Sequence, residues 1–128
     1  DDGRVVSNFI SQAIKGNPIT VYGKGTQTRS LCYIDDMISG IKLAMFTSNT
    51  KGKIFNLGNP DERNILDIAK LIKSLTNSRS EILFEDLPED DPKIRKPDIT
   101  RAKKILGWEP KVTTEEGLKK TIEYFKKK

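Results

Sequence analysis

Ile19-Thr20-Val21-Tyr22-Gly23-Lys24-Gly25-Thr26-Gln27-Thr28-Arg29-Ser30-Leu31-Cys32-Tyr33-Ile34 places two runs of branched and aromatic residues on either side of a glycine-bracketed turn. This is the pattern of two strands, Ile19 to Tyr22 and Ser30 to Ile34, joined by a flexible connection. The order decides what the glycines can be. A dinucleotide-binding fingerprint carries a later glycine and opens into a helix, whereas Gly23-Lys24-Gly25 lacks that glycine and is followed by a strand-like segment. A P-loop ends in Gly-Lys-Ser/Thr, and that ending is missing too. Arg29 stands at the entrance of the second strand.

Upstream, Arg4 to Ile14 repeats apolar residues at helical spacing (Val5, Val6, Phe9, Ile10, Ala13), and Gly16 and Pro18 end the run. Downstream, Asp35 or Asp36 is expected to cap a helix whose stripe includes Ile38, Ile41, Leu43, Ala44 and Phe46; the pair reads as a cap, not as an acid and a base. Lys53 to Leu57 reads as a strand closed by Gly58-Asn59-Pro60-Asp61. Asn64 is expected to cap a helix carrying Ile65, Ile68, Ala69, Ile72 and Leu75. Glu81 to Phe84 is strand-like, Leu87 to Pro97 is too rich in proline and charge for a regular element, and a helix is expected from Asp98 to Gly107. Thr113 or Thr114 then caps a last helix with Leu118, Ile122 and Phe125 on one side. Trp108 reads as an anchor for these last helices. The result is an α/β chain with roughly four short strands for roughly five helices, as if its sheet were supplied only in part.

With 128 residues, 35% hydrophobic and 32% charged, the chain suits one modest globular domain. No run reaches membrane-spanning length, and the first residues lack the apolar centre of a signal peptide. Cys32 is the sole cysteine, which excludes an internal disulfide; in its apolar run it reads as a buried thiol, not a nucleophile. Histidine is absent, which removes the commonest metal ligand and general base; no metal site is expected. Chemistry must rely on carboxylates, arginines, lysines or tyrosines, or be completed outside these residues. The net charge of +5 could suit nucleic acid, but the cations are interleaved with acids or gathered in the tail Lys126-Lys127-Lys128, and no aromatic stacking platform accompanies them.

Two arginines in turn-rich stretches suggest an anion site: Arg29, and Arg95 in Asp90-Asp91-Pro92-Lys93-Ile94-Arg95-Lys96-Pro97-Asp98. A guanidinium grips phosphate or carboxylate through paired hydrogen bonds. The plainer alternative is that each faces water.

In order along the chain, Arg4-Val5-Val6-Ser7-Asn8-Phe9-Ile10, Ile19 to Gly23, Gln27-Thr28-Arg29, Tyr33-Ile34-Asp35-Asp36, Phe55 to Pro60, Arg95-Lys96-Pro97-Asp98-Ile99 and Leu106 to Pro110 resemble the C-terminal part of the extended short-chain dehydrogenase/reductases, the NAD-dependent epimerase/dehydratase family. The likeness covers essentially the whole chain, and Arg95-Lys96-Pro97-Asp98-Ile99 favours the UDP-glucuronate decarboxylase branch.

The resemblance implies that residues 1–128 are a C-terminal sugar-nucleotide-binding domain or fragment, lacking the N-terminal Rossmann half with its catalytic tyrosine and lysine. It implies substrate contacts from Arg4, Val21, Tyr22, Arg29 and Arg95. Arg29, helped by Arg4, would lie near the diphosphate, and Val21 and Tyr22 around the base. Arg95 would lie near the sugar, as the catalytic residue, through electrostatic stabilisation or water-mediated protonation after carbon dioxide leaves. The intact parent would convert UDP-glucuronate to UDP-xylose through a 4-keto intermediate, using NAD that this fragment does not hold. It would form a homodimer through the absent half, and this segment would contact neither nucleic acid nor membrane. A dTDP-glucose 4,6-dehydratase or nucleotide-sugar epimerase shares the same framework.

Overall fold

The computed structural model describes residues 2–47, 55–86 and 98–127, with the side chains of residues 2–4 excepted. The first helix, α1 (Asp2–Lys15), turns Phe9, Ile10 and Ala13 inward. Gly16 ends it at φ 74°, a left-handed conformation suited to glycine. The Gly16 and Asn17 amides donate back to the Ala13 and Gln12 carbonyls at 3.3 and 3.0 Å, which satisfies two carbonyls that the helix end would leave unpaired. The chain then enters β1 (Ile19–Tyr22), whose Ile19 and Val21 are buried. Gln12 fastens helix to strand: its amide nitrogen donates to Thr20 Oγ1 at 3.0 Å and its oxygen accepts from the Thr20 amide at 3.2 Å.

Strand β1 pairs in parallel with β4 (Ile82–Glu85), in register from Ile19 opposite Ile82 to Tyr22 opposite Glu85. Between them in sequence lies a second, antiparallel pair, β2 (Thr28–Ser30) with β3 (Glu62–Asn64), in which Arg29 faces Arg63. Helix α3 (Ile65–Leu75) follows β3 directly, and the expected cap is in place: the Asp67 amide donates to Asn64 Oδ1 at 2.8 Å. The main core gathers Ile10, Ile19, Val21, Ile68 and Ile72 from α1, β1 and α3, closed by Leu118 and Ile122 of α4 (Thr114–Lys126). Thr113 caps α4, its Oγ1 accepting from the Glu116 amide at 3.1 Å.

A second core lies between α2 (Ile34–Phe46) and the segment around Trp108, where Ile99, Ala102, Leu106 and Trp108 are buried. Here the sequence expectations need correction. Neither Asp35 nor Asp36 caps α2, which starts after Tyr33 without a side-chain cap. Asp36 instead points across the molecule, buried at 6% exposure, and its Oδ2 accepts from the Lys111 and Val112 amides at 3.0 and 2.9 Å. Its own backbone carbonyl accepts from Trp108 Nε1 at 2.9 Å. Trp108 thus anchors its segment to α2.

The helix expected from Asp98 is a short helical turn at Thr100 and Arg101 running into π-helical Ala102–Leu106, closed by Gly107 at φ 65°. Asp98 Oδ1 accepts from the Thr100 amide and hydroxyl at 3.0 and 2.6 Å, which fixes its start. The second strand ends at Ser30, not Ile34, because its partner β3 supplies three residues only. Strand β3 itself escapes a pattern search because Glu62-Arg63-Asn64 has no apolar alternation. Phe55–Leu57, expected to be strand, is irregular, with no pairing among the described residues; Lys53, Ile54 and the stretch Leu87 to Pro97 lie outside them.

Removing the Asp36 carboxylate strands two buried amides. Asp36→Ala is expected to cost about 1.5 to 3 kcal/mol in urea denaturation. Gly40→Ala should cost about 1 to 3 kcal/mol, since a Cβ there would sit 2.9 Å from Leu57 Cδ1 and 3.0 Å from Trp108 Nε1.

Candidate functional site

The polar centre of the chain is built on the β2–β3 pair. Arg29 is buried at 5% exposure, and its Nη1 donates to the Thr28 carbonyl at 2.8 Å. Directly opposite, Arg63 brings a second cation, an arrangement that is repulsive unless anions offset it. Asp61 and Glu115 supply them: Arg63 Nη2 lies 2.9 Å from Asp61 Oδ2 and 2.7 Å from Glu115 Oε2. Asp61 also accepts from the Thr114 hydroxyl at 3.0 Å, while its own amide donates to Asn59 Oδ1 at 3.0 Å. The Gly58-Asn59-Pro60-Asp61 turn is therefore tied at once to β3 and to the start of α4. Hydrogen bonding from Arg63 holds the Asp61 and Glu115 carboxyls below their usual range, and the same bonds raise the pKa of Arg63.

The sequence-derived residues are distributed unevenly around this centre. Val21 lies in the main core, while Tyr22, next along β1, is exposed. Tyr22 and Arg29 stand at the two ends of the glycine turn, and buried Gln27 closes it by donating from Nε2 to the Tyr22 carbonyl at 3.2 Å. Gln27, Asp61 and Arg63 escape the sequence reading as organising groups; the nearness of Gln27 to Arg29 is the available signal for the first, while Arg63 is bonded both to Asp61, two residues before it, and to Glu115, 52 residues away. Arg4 lies on α1 with its side chain undescribed, and Arg95 falls outside the described residues.

The glycine turn does not fit a dinucleotide. Gly25, at φ 73°, leaves no room for a phosphate: a Cβ there would meet Leu66 Cβ at 2.8 Å and Val21 Cγ1 at 3.0 Å, and its carbonyl accepts from the Leu66 amide at 3.1 Å. The turn is a clasp on α3. Tyr124 is the one tyrosine with a lysine four residues on, Lys128, but it lies near the end of α4 and Lys128 is outside the described residues. No group of three or more His, Cys, Asp or Glu side chains among the described residues could hold a metal.

A separate cleft of about 970 Å³ opens between the segment after β2 and α4, walled by Leu31, Cys32, Tyr33, Leu57, Leu118 and Tyr124 among others. Val21, Tyr22 and Arg29 are not in its walls. Its lining is mainly apolar; Lys120 Nζ sits over the Tyr33 ring, 5.4 Å from the centroid. Burial, then the nearby Asp36 carboxylate, push the Cys32 thiol up to about 11, which keeps it protonated and weakly nucleophilic at neutral pH. No described helix is long and apolar enough to cross a membrane.

The alternation of elements and the segments that carry it define part of an extended short-chain dehydrogenase/reductase of the epimerase/dehydratase type. Residues 2–121 match the model of the GDP-mannose 4,6 dehydratase family, and the chain belongs to that family. It is 54% identical over 125 residues to UDP-glucuronic acid decarboxylase 1 of Danio rerio, covering 98% of this chain and 29% of the relative. It is 52% identical over 118 residues to UDP-glucuronic acid decarboxylase 5 of Arabidopsis thaliana, covering 92% of this chain and 34% of the relative. The chain thus spans about a third of the length of these curated relatives.

Among solved structures, the UDP-glucose 4-epimerase of Thermotoga maritima with UDP-glucose superposes with a TM-score of 0.91 at 35% identity, over 96% of this chain and 39% of that one. The UDP-glucuronic acid 4-epimerase of Bacillus cereus, in complex with UDP-glucuronic acid and NAD, gives 0.91 at 31% identity, over 96% and 40%.

The Arg63 cluster gives the fold an acid limit. Asp61 and Glu115 have depressed folded-state pKa values, so their stabilisation is complete above the ordinary carboxylate range and is lost as pH falls through the depressed values. Arg63→Ala should lower the melting temperature at neutral pH, and the gap to the unaltered chain should close on acidification to about pH 2. Melting curves across that range test it.

Proposed function

We propose that this chain is the sugar-nucleotide-binding part of a UDP-glucuronate decarboxylase, whose full-length parent converts UDP-glucuronate to UDP-xylose and carbon dioxide. The observation that carries the reading is 54% identity to a UDP-glucuronic acid decarboxylase across 98% of the chain. A second reading, a nucleotide-sugar epimerase, draws on the epimerase structures that superpose with a TM-score of 0.91. Their identities of 35% and 31% are well below 54%, which favours the decarboxylase. Product analysis of the full-length parent separates the two: UDP-xylose and carbon dioxide support decarboxylation, and retention of all six sugar carbons excludes it.

In this reading the chain binds and orients the substrate. Arg29, held in the middle of β2 and largely withdrawn from water, presents a fixed positive charge to the diphosphate, where low solvent exposure strengthens a charge-assisted hydrogen bond. Tyr22, exposed at the other end of the same turn, offers a ring face and a hydroxyl to the base; Val21 shapes that wall through the backbone of β1. Arg4 adds positive charge. Arg95 acts at the sugar by electrostatic stabilisation. NAD belongs to the remainder of the parent, since the Gly23–Gly25 turn does not fit it, and the parent assembles as a homodimer through that same remainder.

Two expectations follow. The isolated 128-residue chain supplied with NAD should show no UDP-glucuronate turnover; product formation that tracks with the purified chain, and not with trace parent, would overturn the assignment. In the parent, Arg29→Ala should weaken UDP-sugar binding by about 1.5 to 3 kcal/mol, measured by calorimetry. Arg95→Ala should in addition slow single-turnover formation of UDP-xylose. An Arg95→Ala parent that keeps both affinity and rate makes Arg95 a surface charge.

A further inference from the structure

Three helices end at one place. The last turns of α1 and α4 and the exit of α3 meet around a pocket of about 310 Å³, whose walls include Lys15, Thr76, Asn77, Ser78, Arg79 and Lys126. It shares no wall residue with the apolar cleft, and neither Arg29 nor Tyr22 reaches it. Hydrogen bonds fix its shape. Ser78 Oγ donates to the Ala13 carbonyl at 2.8 Å and accepts from the Ser80 amide at 3.1 Å, which stitches the exit of α3 to the end of α1. Asn77 makes the turn between them in the left-handed region, at φ 52°. Lysine and arginine near a helix C-terminus ordinarily serve the carbonyls left unpaired there, but here other groups do so. The Gln12 and Ala13 carbonyls take the Asn17 and Gly16 amides, and those of Ile72, Lys73 and Ser74 take the Thr76, Ser78 and Asn77 amides. The Thr76 hydroxyl reaches the Ile72 and Lys73 carbonyls as well, at 2.8 and 3.1 Å. Lys15, Arg79 and Lys126 make no ion pair or hydrogen bond with any described residue, and no acidic residue lines the pocket.

We propose that this pocket is a second anion site, which takes the phosphate group of a small ligand and is separate from the sugar-nucleotide site. Three positive charges delivered by three different segments to one concavity concentrate the local field and with it the local density of anions. The donor set selects the kind of anion. Lysine and arginine offer donors and no acceptor, so their complement is a group made of acceptors. The flat Arg79 fork matches two oxygens of a phosphate at once, Lys15 and Lys126 act as point charges on either side, and the Asn77 amide adds a neutral donor. A metal cation is repelled by the same charges, and a neutral or apolar ligand leaves all three uncompensated. Because the helix ends around the pocket are already satisfied, the cations need not leave other partners when the anion arrives. The inference stands on these residues alone and does not rest on the decarboxylase reading.

The test is equilibrium dialysis of radiolabelled inorganic phosphate against the full-length parent carrying Arg29→Ala, which takes the proposed diphosphate site out of the measurement, at an ionic strength held constant with chloride. Saturable uptake of one phosphate per chain is expected. In that background Arg79→Gln should weaken uptake about tenfold, and Lys15→Gln combined with Lys126→Gln by a similar factor. Arg79→Lys, which keeps the charge and loses the fork, should fall between Arg79→Gln and the unaltered position. Lys70→Gln, an exposed lysine on α3 outside the pocket, should change nothing. Melting curves check that each variant is folded, and the lysine pair gives a second reading that does not depend on Arg79. Phosphate uptake that does not saturate overturns the proposal, as does uptake that Arg79→Gln and the lysine pair both leave unaltered. A loss with Lys70→Gln as large as that with Arg79→Gln also overturns it, since it would make the attraction a property of the basic surface and not of the pocket.

Discussion

The buried carboxylate of Asp36 is the constraint on which the second half of the structure depends. One side chain takes hydrogen bonds from two consecutive amides, Lys111 and Val112, while its own backbone carbonyl takes the Trp108 indole. A carboxylate withdrawn from water is tolerable when its oxygens are satisfied by fixed donors, and these donors come from a segment more than 70 residues further along the chain. That join sets the depth of α2 against Trp108. It is also why position 40 is a glycine: the indole edge occupies the space where a Cβ would stand. The entry angle of α4 follows, because Thr113, its cap, comes directly after the anchored amides.

A second constraint is electrostatic. Arginines face each other across β2 and β3, and Asp61 and Glu115 both serve Arg63. This division leaves the two cations with different tasks. Arg63 is absorbed into holding the Asn59–Asp61 turn to α4, and Arg29 lies buried in the middle of β2, two residues after Gln27.

Much of the fold was legible where a single local rule decided it. Helical spacing located α1, α3 and α4, and the caps Asn64 and Thr113 act as their side chains suggest. Errors arose where a distant partner overruled the local pattern. Asp36 stands in the first turn of α2, yet it is drawn to backbone amides no window of sequence could reveal. Strand β3 is polar throughout and exists because β2 lies beside it, while Phe55–Leu57 has the composition of a strand and pairs with none among the described residues. The site was less legible than the fold. The order of motifs indicated Arg29 and Tyr22 through resemblance, but the contact of Arg63 with Glu115 is assembled only by the tertiary structure.

The parallel pairing of β1 with β4 carries a kinetic consequence. Ile19 finds Ile82 only after two helices and the other strand pair have been bridged, and closing a loop of about 60 residues costs on the order of 3.5 kcal/mol of chain entropy. Four residues of pairing are a small return on that cost. Helix α1 reaches β1 through the local Gln12–Thr20 clasp, and α3 reaches it through the Gly25 turn, so both can dock on β1 before β4 arrives. The lobe is therefore arranged to assemble from its beginning outward, with β4 the last strand to join, and the sheet closes what the helices have already begun.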